Sequence, residues 1–406
     1  MKRRLIPVAA LLAAVLAAVL TSPALAQKKY DPGASDKEIK VGNTNPYSGP
    51  ASAYGAIGKS IAAYFRMVND RGGINGRKLN FISYDDGYSP PKTVEMARKL
   101  VEQDEVLLLF QSLGTPSNTA IHKYMNAKKV PQLFVATGAT KWNDAKSFPW
   151  TMGWQPNYQT EARIYARHIL QTKPNAKIAV LYQNDDYGKD YLKGFEDGLG
   201  PQAQKMIVAK ASYEVSEPTV DSQILQLKSS GADVFFNITT PKFAAQAIRA
   251  AYDSGWKPTH YLNNVSNSVG SVLKPAGLEK AVGIITSAYV KDPTDKRWAN
   301  DPGMKAWREF MAKYNPEGDL SDPFNVYGYT VAATLEQVLK QCGDTLTREN
   351  VMKQAASLKR FRIDTLLPGI TISTSPSDYA PIEAMQLERF NGHEFELFGE
   401  VISNEQ

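Results

Sequence analysis

The sequence predicts an α/β chain built as two doubly wound lobes. Two observations carry that expectation. Short apolar strands alternate with amphipathic helices through most of the chain, and the alternation restarts near residue 158 after one full run. Such alternation implies parallel sheets with helices on their faces. No short fixed period of repeated sequence is present, which argues against a solenoid.

The first run opens with a strand over Glu38 to Thr44. Residues Tyr54 to Arg71 place Ile57, Ile61, Ala62, Phe65 and Val68 at helical spacing, and Gly72-Gly73 ends that helix. A strand follows over Lys78 to Tyr84. Pro91 to Gln103 forms a helix opened by proline in its first turn. Val106 to Gln111 is a continuous apolar run, expected of a strand buried on both faces. Ser117 to Ala127 is a helix, and Gln132 to Ala136 a strand.

The second run has helices over Tyr158 to Lys173, Asp186 to Leu199, Thr219 to Ser229 and Pro241 to Ser254. Its strands are Lys177 to Tyr182, Gln204 to Tyr213, Asp233 to Asn237 and His260 to Asn263. These two runs give two Rossmann-like parallel sheets, one per lobe. Beyond about residue 285 the pattern loosens. Helices are expected over Lys305 to Tyr314, Pro323 to Gln341 and residues 349–358. A hairpin around Asn391-Gly392 closes the chain. This last third completes the two lobes rather than adding a third sheet.

The N-terminus reads as an export signal. Lys2, Arg3 and Arg4 precede an apolar run from Leu5 to Leu20, and Ala24-Leu25-Ala26 supplies a small-x-small cleavage pattern. Residues 1–26 are therefore expected to be a cleavable signal peptide, with the mature chain periplasmic. The run is slightly short for a membrane span of about 20 residues. No cysteine follows the cleavage point to carry a lipid. The formal charge of +6 includes those three signal cations, and the remainder is too small and too dispersed to imply nucleic acid or an anionic membrane. Apolar residues make up 43% of the chain and charged residues 22%, as expected of a globular protein with a real core. Cys342 is the single cysteine, so no intramolecular disulfide can form, and its helical setting marks it as a buried apolar group.

The residues of an enzyme are missing. There is no GxGxxG, GxxxxGK[ST] or GxSxG, and His122, His168, His260 and His393 lie scattered without metal-ligand spacing. No cofactor or metal is expected. Asp85-Asp86 follows a strand, where adjacent carboxylates point to opposite faces, so capping is the expected role. Asp186 is the expected N-cap of the helix it opens.

Three loops at strand carboxyl ends offer a different chemistry. They are Ser112-Leu113-Gly114-Thr115-Pro116-Ser117-Asn118, Thr137-Gly138-Ala139-Thr140 and Thr239-Thr240-Pro241. In an open parallel sheet such loops face the ligand crevice. Backbone N–H groups at a helix start, joined by hydroxyls, make a neutral cradle for a carboxylate. The competing role of the same hydroxyls is to cap their own helices.

Further segments carry a resemblance. These are Tyr47-Ser48-Gly49-Pro50 with Tyr54-Gly55, then Val68-Asn69-Asp70-Arg71-Gly72-Gly73-Ile74-Asn75-Gly76-Arg77-Lys78-Leu79. Tyr84-Asp85-Asp86 with Pro91 and Lys92, Gly138-Ala139-Thr140 and Asp186-Tyr187-Gly188 follow. From about residue 36 onward the chain resembles the periplasmic solute-binding proteins of ABC importers, specifically the branched-chain amino-acid (Leu/Ile/Val) receptors. The resemblance implies the type I periplasmic binding fold, with two lobes joined by three hinge crossings that close on a small solute. Placing the crossings near 155, 286 and 375 gives a first lobe of 27–155 plus 286–375 and a second of 156–285 plus 376–406. The expected partners are a small organic solute and an inner-membrane ABC permease. The chain is expected to be a monomer without catalysis.

The same resemblance implies site residues. The carboxylate cradle falls at Gly114, Thr115, Gly138, Ala139 and Thr140, with glycine at 114 where the family usually has serine. Tyr54 and Tyr187 match aromatic contacts. A second-lobe tyrosine of the family falls at Thr239. The family's acidic residue for the ligand ammonium falls within Asn263-Asn264-Val265, which holds no acid, leaving Asn264 as the contact. Burying an ammonium without a carboxylate is costly. The expected ligand is therefore an acid lacking the amine, such as an aromatic acid, with Trp154 a further candidate contact. The alternatives are a branched-chain or other hydrophobic amino acid, or a role as the ligand-sensing subunit of a signalling system.

Overall fold

The computed structural model describes residues 28–403. The expected signal segment, 1–26, lies outside the described residues. Among those described, no helix is long and apolar enough to cross a membrane.

Two sheets organise the chain, and they share one topology. The first holds β2 (Glu38–Asn45), β3 (Lys78–Asp85), β4 (Leu108–Phe110), β5 (Gln132–Val135) and β6 (Thr151–Gly153), in the order β3-β2-β4-β5-β6. Every pair in it is parallel. The second holds β7 (Ile178–Gln183), β8 (Ile207–Tyr213), β9 (Val234–Ile238), β10 (Thr259–Leu262) and β11 (Ile285–Ala288), in the order β11-β10-β9-β7-β8. Each lobe thus starts in the middle, steps to one edge, returns, and grows outward on the other side. Side chains of β4 and β5 are buried throughout, as expected of interior strands of a parallel sheet; β5 includes the buried polar Gln132. A small parallel pair, β1 (Lys29–Tyr30) with β12 (Thr345–Leu346), lies apart.

The last third completes both lobes. The Pro302–Tyr314, Pro323–Cys342 and Arg348–Ala355 helices follow the second sheet. The Pro323–Cys342 helix lies so close to the Gly55–Asp70 helix that a Cβ on Gly328 would meet Ser60 Cβ at 2.8 Å. Ser60 Oγ donates to the Asn325 carbonyl at 2.8 Å, and Cys342 is buried as expected. The hairpin of β13 (Ala384–Phe390) and β14 (Phe395–Ser403) then joins the second sheet antiparallel to β11.

Two crossings lie a few residues beyond the expected positions, within the roughly ten residues by which the sequence places them. The return near 286 falls inside β11, whose residues pair with β13 and so belong to the second sheet. The change near 375 comes too early. Tyr379 N–H still bonds Asn143, and its hydroxyl bonds the Pro149 carbonyl at 3.2 Å, both beside β6. Two strands that precede crossings, β6 before the first and β11 before the second, had no sequence expectation. The expected strand start at Gln204 is instead a helical turn, Ala203–Met206, before β8.

Candidate functional site

The topology fixes where a ligand would sit. In each lobe the strand order reverses beside the first strand, between β2 and β4 and between β7 and β9. Loops at the carboxyl ends of such strands border the crevice. Residues from those loops meet around a cavity of about 60 Å³ between the lobes. Tyr54, Leu113, Gly114 and Thr115 come from the first sheet's side; Tyr187 and Thr240 come from the second.

The structure brings five of the expected positions together at this cavity. Tyr54, Gly114, Thr115, Tyr187 and Asn264 all line the cavity. Tyr54 reaches across it, its hydroxyl donating to the Val265 carbonyl at 2.9 Å, while its ring packs 5.2 Å from Phe324. Thr115 opens the Thr115–Lys128 helix, so its N–H has no partner within the helix. Its Oγ1 lies 2.6 Å from Thr137 Oγ1. The Gly114 N–H is already taken by the Ala136 carbonyl at 3.2 Å, so the cradle narrows to Thr115. Asn264 is held by both amides: its N–H donates to Glu161 Oε1 at 2.7 Å and its Nδ2 to the Ser287 carbonyl at 2.5 Å. Tyr187 Oη lies 2.5 Å from the Asn263 amide. With the Asn263 oxygen toward that tyrosine, its nitrogen reaches the Asn237 and Thr239 carbonyls at 3.2 and 3.1 Å.

Four expected contacts are placed elsewhere. Gly138, Ala139, Thr140 and Thr239 are not among the lining residues. Gly138 accepts the Tyr158 N–H at 2.8 Å and so seats a ring that does line the cavity. The Ala139 N–H is bonded to Thr137 Oγ1 at 3.2 Å. Thr140 is turned to the other lobe, where its N–H and Oγ1 both donate to Asp190 Oδ2, at 2.8 and 2.9 Å. Thr239 Oγ1 donates to Asn237 Oδ1 at 2.7 Å, and it is Thr240, one residue on, that reaches the cavity. Trp154 is a core residue, donating to Thr334 Oγ1 at 3.1 Å and packed behind Tyr289 and Tyr327. The cap of the Asp186–Leu199 helix is Asp185 rather than Asp186: its Oδ1 accepts from the Tyr187 and Gly188 amides. Asp186 instead pairs with Lys141 at 2.6 Å across the crevice.

The sequence reading missed most of the aromatic wall. Tyr88, Tyr158, Tyr289, Phe324 and Tyr327 also line the cavity. One signal was available for two of them. Phe324 and Tyr327 are three residues apart on a helix and share a face, whereas Tyr329 turns away to pack against Tyr64 and Phe310. Nothing local announced the other three.

No lining residue carries a formal charge. Carboxylates lie one layer behind. Glu161 is buried and accepts from Asn264 N–H and from the Tyr165 and Tyr191 hydroxyls, each at 2.7 Å. Burial pushes its pKa up to about 7. Asp322 is buried, caps the Pro323–Cys342 helix, and accepts from Ser268 and Ser271 of the second lobe. Burial pushes it up to about 6. Among the described residues, no group of three or more His, Cys, Asp or Glu could hold a metal.

The lobes therefore touch on both sides of the cavity, through Thr140–Asp190 and Lys141–Asp186 on one side and Ser268 and Ser271 with Asp322 on the other. This is a closed arrangement around an internal space.

Comparison with known proteins agrees with this architecture. The family model described as "Periplasmic binding protein" matches residues 38–394. A Leu/Ile/Val-binding protein homolog 1 of Brucella abortus is 26% identical over 338 residues, covering 80% of this chain and 85% of that one. A branched-chain amino acid ABC transporter of Thermus thermophilus, solved with bound valine, superposes with a TM-score of 0.81 at 16% identity, covering 91% of this chain and 97% of that one. A fatty acid ABC transporter substrate-binding protein of Thermomonospora curvata gives 0.77 at 21% identity, covering 93% and 95%. All are binding or transport proteins by description. The chain belongs to the periplasmic binding protein family, and at low identity it is similar to proteins named for Leu/Ile/Val binding.

Proposed function

We propose that the chain captures a small organic acid lacking an amine, such as an aromatic acid, by lobe closure and hands it to an ABC permease in the inner membrane. The observation that carries this reading is the cavity wall, which has seven aromatic rings and no charged side chain. An anionic carboxylate can be held there by the Thr115 N–H at a helix start and by neighbouring hydroxyls. An ammonium would find no carboxylate on the wall, only neutral acceptors. The buried second-lobe acid that holds Asn264, Glu161, already accepts three hydrogen bonds and does not line the cavity. Rings offset around the space suit a flat or branched apolar body. Ligand contacts from both lobes would favour the closed form over the open one. The Thermomonospora curvata protein, named for fatty acids, has the same fold.

The second reading is a hydrophobic amino acid such as leucine. The Brucella relatives named for Leu/Ile/Val binding and the Thermus thermophilus protein with valine favour it. Here the ammonium would rest on neutral acceptors, such as the side-chain oxygens of Gln155 and Asn264, which line the cavity. Calorimetry with benzoate, 4-methylpentanoate, leucine and valine separates the two. Binding of the amine-free acids at least tenfold tighter than of leucine is expected. Tight leucine binding with no heat from the amine-free acids would replace the first reading by the second.

A further inference from the structure

The loop between β3 and the Pro90–Glu102 helix delivers a ring to the cavity from an uncommon backbone conformation. Tyr88 has φ +62°, in the left-handed region that residues with a Cβ seldom occupy. Such a conformation persists only where its surroundings hold it. Here the Tyr88 N–H donates to Asp86 Oδ1 at 3.0 Å, and Asp86 is fully buried. Asp86 Oδ2 accepts from Thr93 Oγ1 at 2.7 Å, which lies 2.9 Å from Ser117 Oγ. The loop is thereby tied to the helices on both of its sides.

The ring it delivers lies directly on Gly114. A Cβ built on Gly114 would stand 2.5 Å from Tyr88 Cε2 and 3.3 Å from Cζ. The φ of Gly114 is itself +99°. Glycine at the helix cap and tyrosine in the loop are thus two halves of one arrangement, because the ring fills the volume that any side chain at 114 would need. On its far side the Tyr88 hydroxyl accepts from Gln183 Nε2 of the second lobe at 3.4 Å. Gln183 Oε1 in turn accepts from Tyr213 Oη at 3.0 Å and from Thr240 Oγ1 at 3.2 Å, and Thr240 lines the cavity.

We propose that Tyr88, admitted by Gly114, is a specificity-determining wall that limits the size of the solute the closed lobes accept. This rests on the reading that the cavity holds a carboxylate solute. Without the ring, space opens between the Thr115 helix start and Gln183, and larger acids gain entry there. The hydroxyl contact to Gln183 forms only when the lobes meet, so the same ring contributes to closure.

The test uses the mature protein and its Tyr88→Ala and Tyr88→Phe variants, titrated by calorimetry with benzoate, 2-naphthoate, leucine and phenylalanine. Tyr88→Ala is expected to raise the affinity for the larger member of each pair relative to the smaller by at least tenfold. Tyr88→Phe should keep the wild-type ratio while weakening all binding a few-fold. An unchanged size ratio in Tyr88→Ala overturns the proposal. A ligand-free measurement runs alongside: Gly114→Ala is introduced with and without Tyr88→Ala, and melting temperatures are compared. The loss caused by Gly114→Ala should be clearly smaller once the ring is gone; equal losses also overturn the proposal. If none of the four probes binds any form, the carboxylate reading fails, and the melting cycle alone decides whether Tyr88 walls the space.

Discussion

The cavity wall and the layer behind it are opposites in charge. The wall carries none, whereas the buried carboxylates of Asp86, Glu161, Asp322 and Glu388 sit one step back. Each of them holds a wall residue in place. Asp86 accepts from Tyr88, Glu161 from Asn264, Asp322 from the Phe324 N–H, and Glu388 from the Asn267 side chain. The acids thus shape a neutral surface instead of presenting themselves to a ligand. The cost of burying them is visible in their raised pKa values. A buried polar network is stable only when its members are satisfied.

The hardest way to break this division is to remove an acid from the rear layer. Glu161→Ala leaves the Asn264 N–H and the Tyr191 hydroxyl without their acceptor, while the Tyr165 hydroxyl keeps the Leu262 carbonyl at 3.2 Å and Ser287 Oγ at 2.8 Å. Orphaned buried donors cost about 1–3 kcal/mol each, partly recovered by rearrangement. At pH 6 the variant should lose about 3–4 kcal/mol in urea unfolding; a loss below about 1 kcal/mol would mean that the wall stands without its support.

A titration examines the same group without deleting it. Burial raises Glu161 from the ordinary 4.5 to about 7, so between those values the folded chain keeps a proton that the unfolded chain releases. Stability is then fully present below about pH 4.5, falls as the pH rises to about 7, and levels off. The fall attributable to this one group is about 3 kcal/mol. Unfolding free energies measured from pH 4.5 to 8 should slope less in Glu161→Gln than in the wild type. Parallel slopes would place the titration elsewhere.

Putting charge into the wall sharpens the comparison from the other side. Thr115→Asp sets a carboxylate at the helix start where the ligand's own would lie. Affinity for acids should drop about a hundredfold, or about 2.7 kcal/mol. Unchanged calorimetric affinity would show that the ligand's negative end lies elsewhere. The smallest effect belongs to the rim. Thr140→Val removes one hydrogen bond to Asp190 that exists only when the lobes meet. A loss of about fivefold in affinity, near 1 kcal/mol, is expected, with small-angle scattering of the unliganded form shifted toward an open shape. No change in either would mean that this contact adds nothing to closure.

Much of the framework was legible from local pattern. The Asp186–Leu199 helix has the bounds expected of it, and the Gly55–Asp70 and Pro323–Cys342 helices differ by a residue or so at their ends. Where the reading slipped by one residue, the slip was geometric. At Asp185 and Asp186 either carboxylate can cap, and only the one with extended backbone turns back to the helix amides. At Thr239 and Thr240, both past the end of β9, Thr239 turns back to Asn237 and Thr240, at the cap of the next helix, reaches the cavity. Thr140 shows a different limit. Its hydroxyl suits an anion, yet the closed lobes bring Asp190 to it first.

The sequence by itself determined the strands and helices, the doubly wound topology of both lobes and the neutral chemistry of the loops at their crevice ends. These follow from backbone hydrogen bonding and side-chain periodicity, which act over a few residues. Only the tertiary structure decided which rings form the wall. Tyr54 meets Val265 across a separation of 211 residues, and Tyr88 meets Gly114 through a steric fit between two loops. Such contacts depend on where distant segments converge, and no local period encodes that.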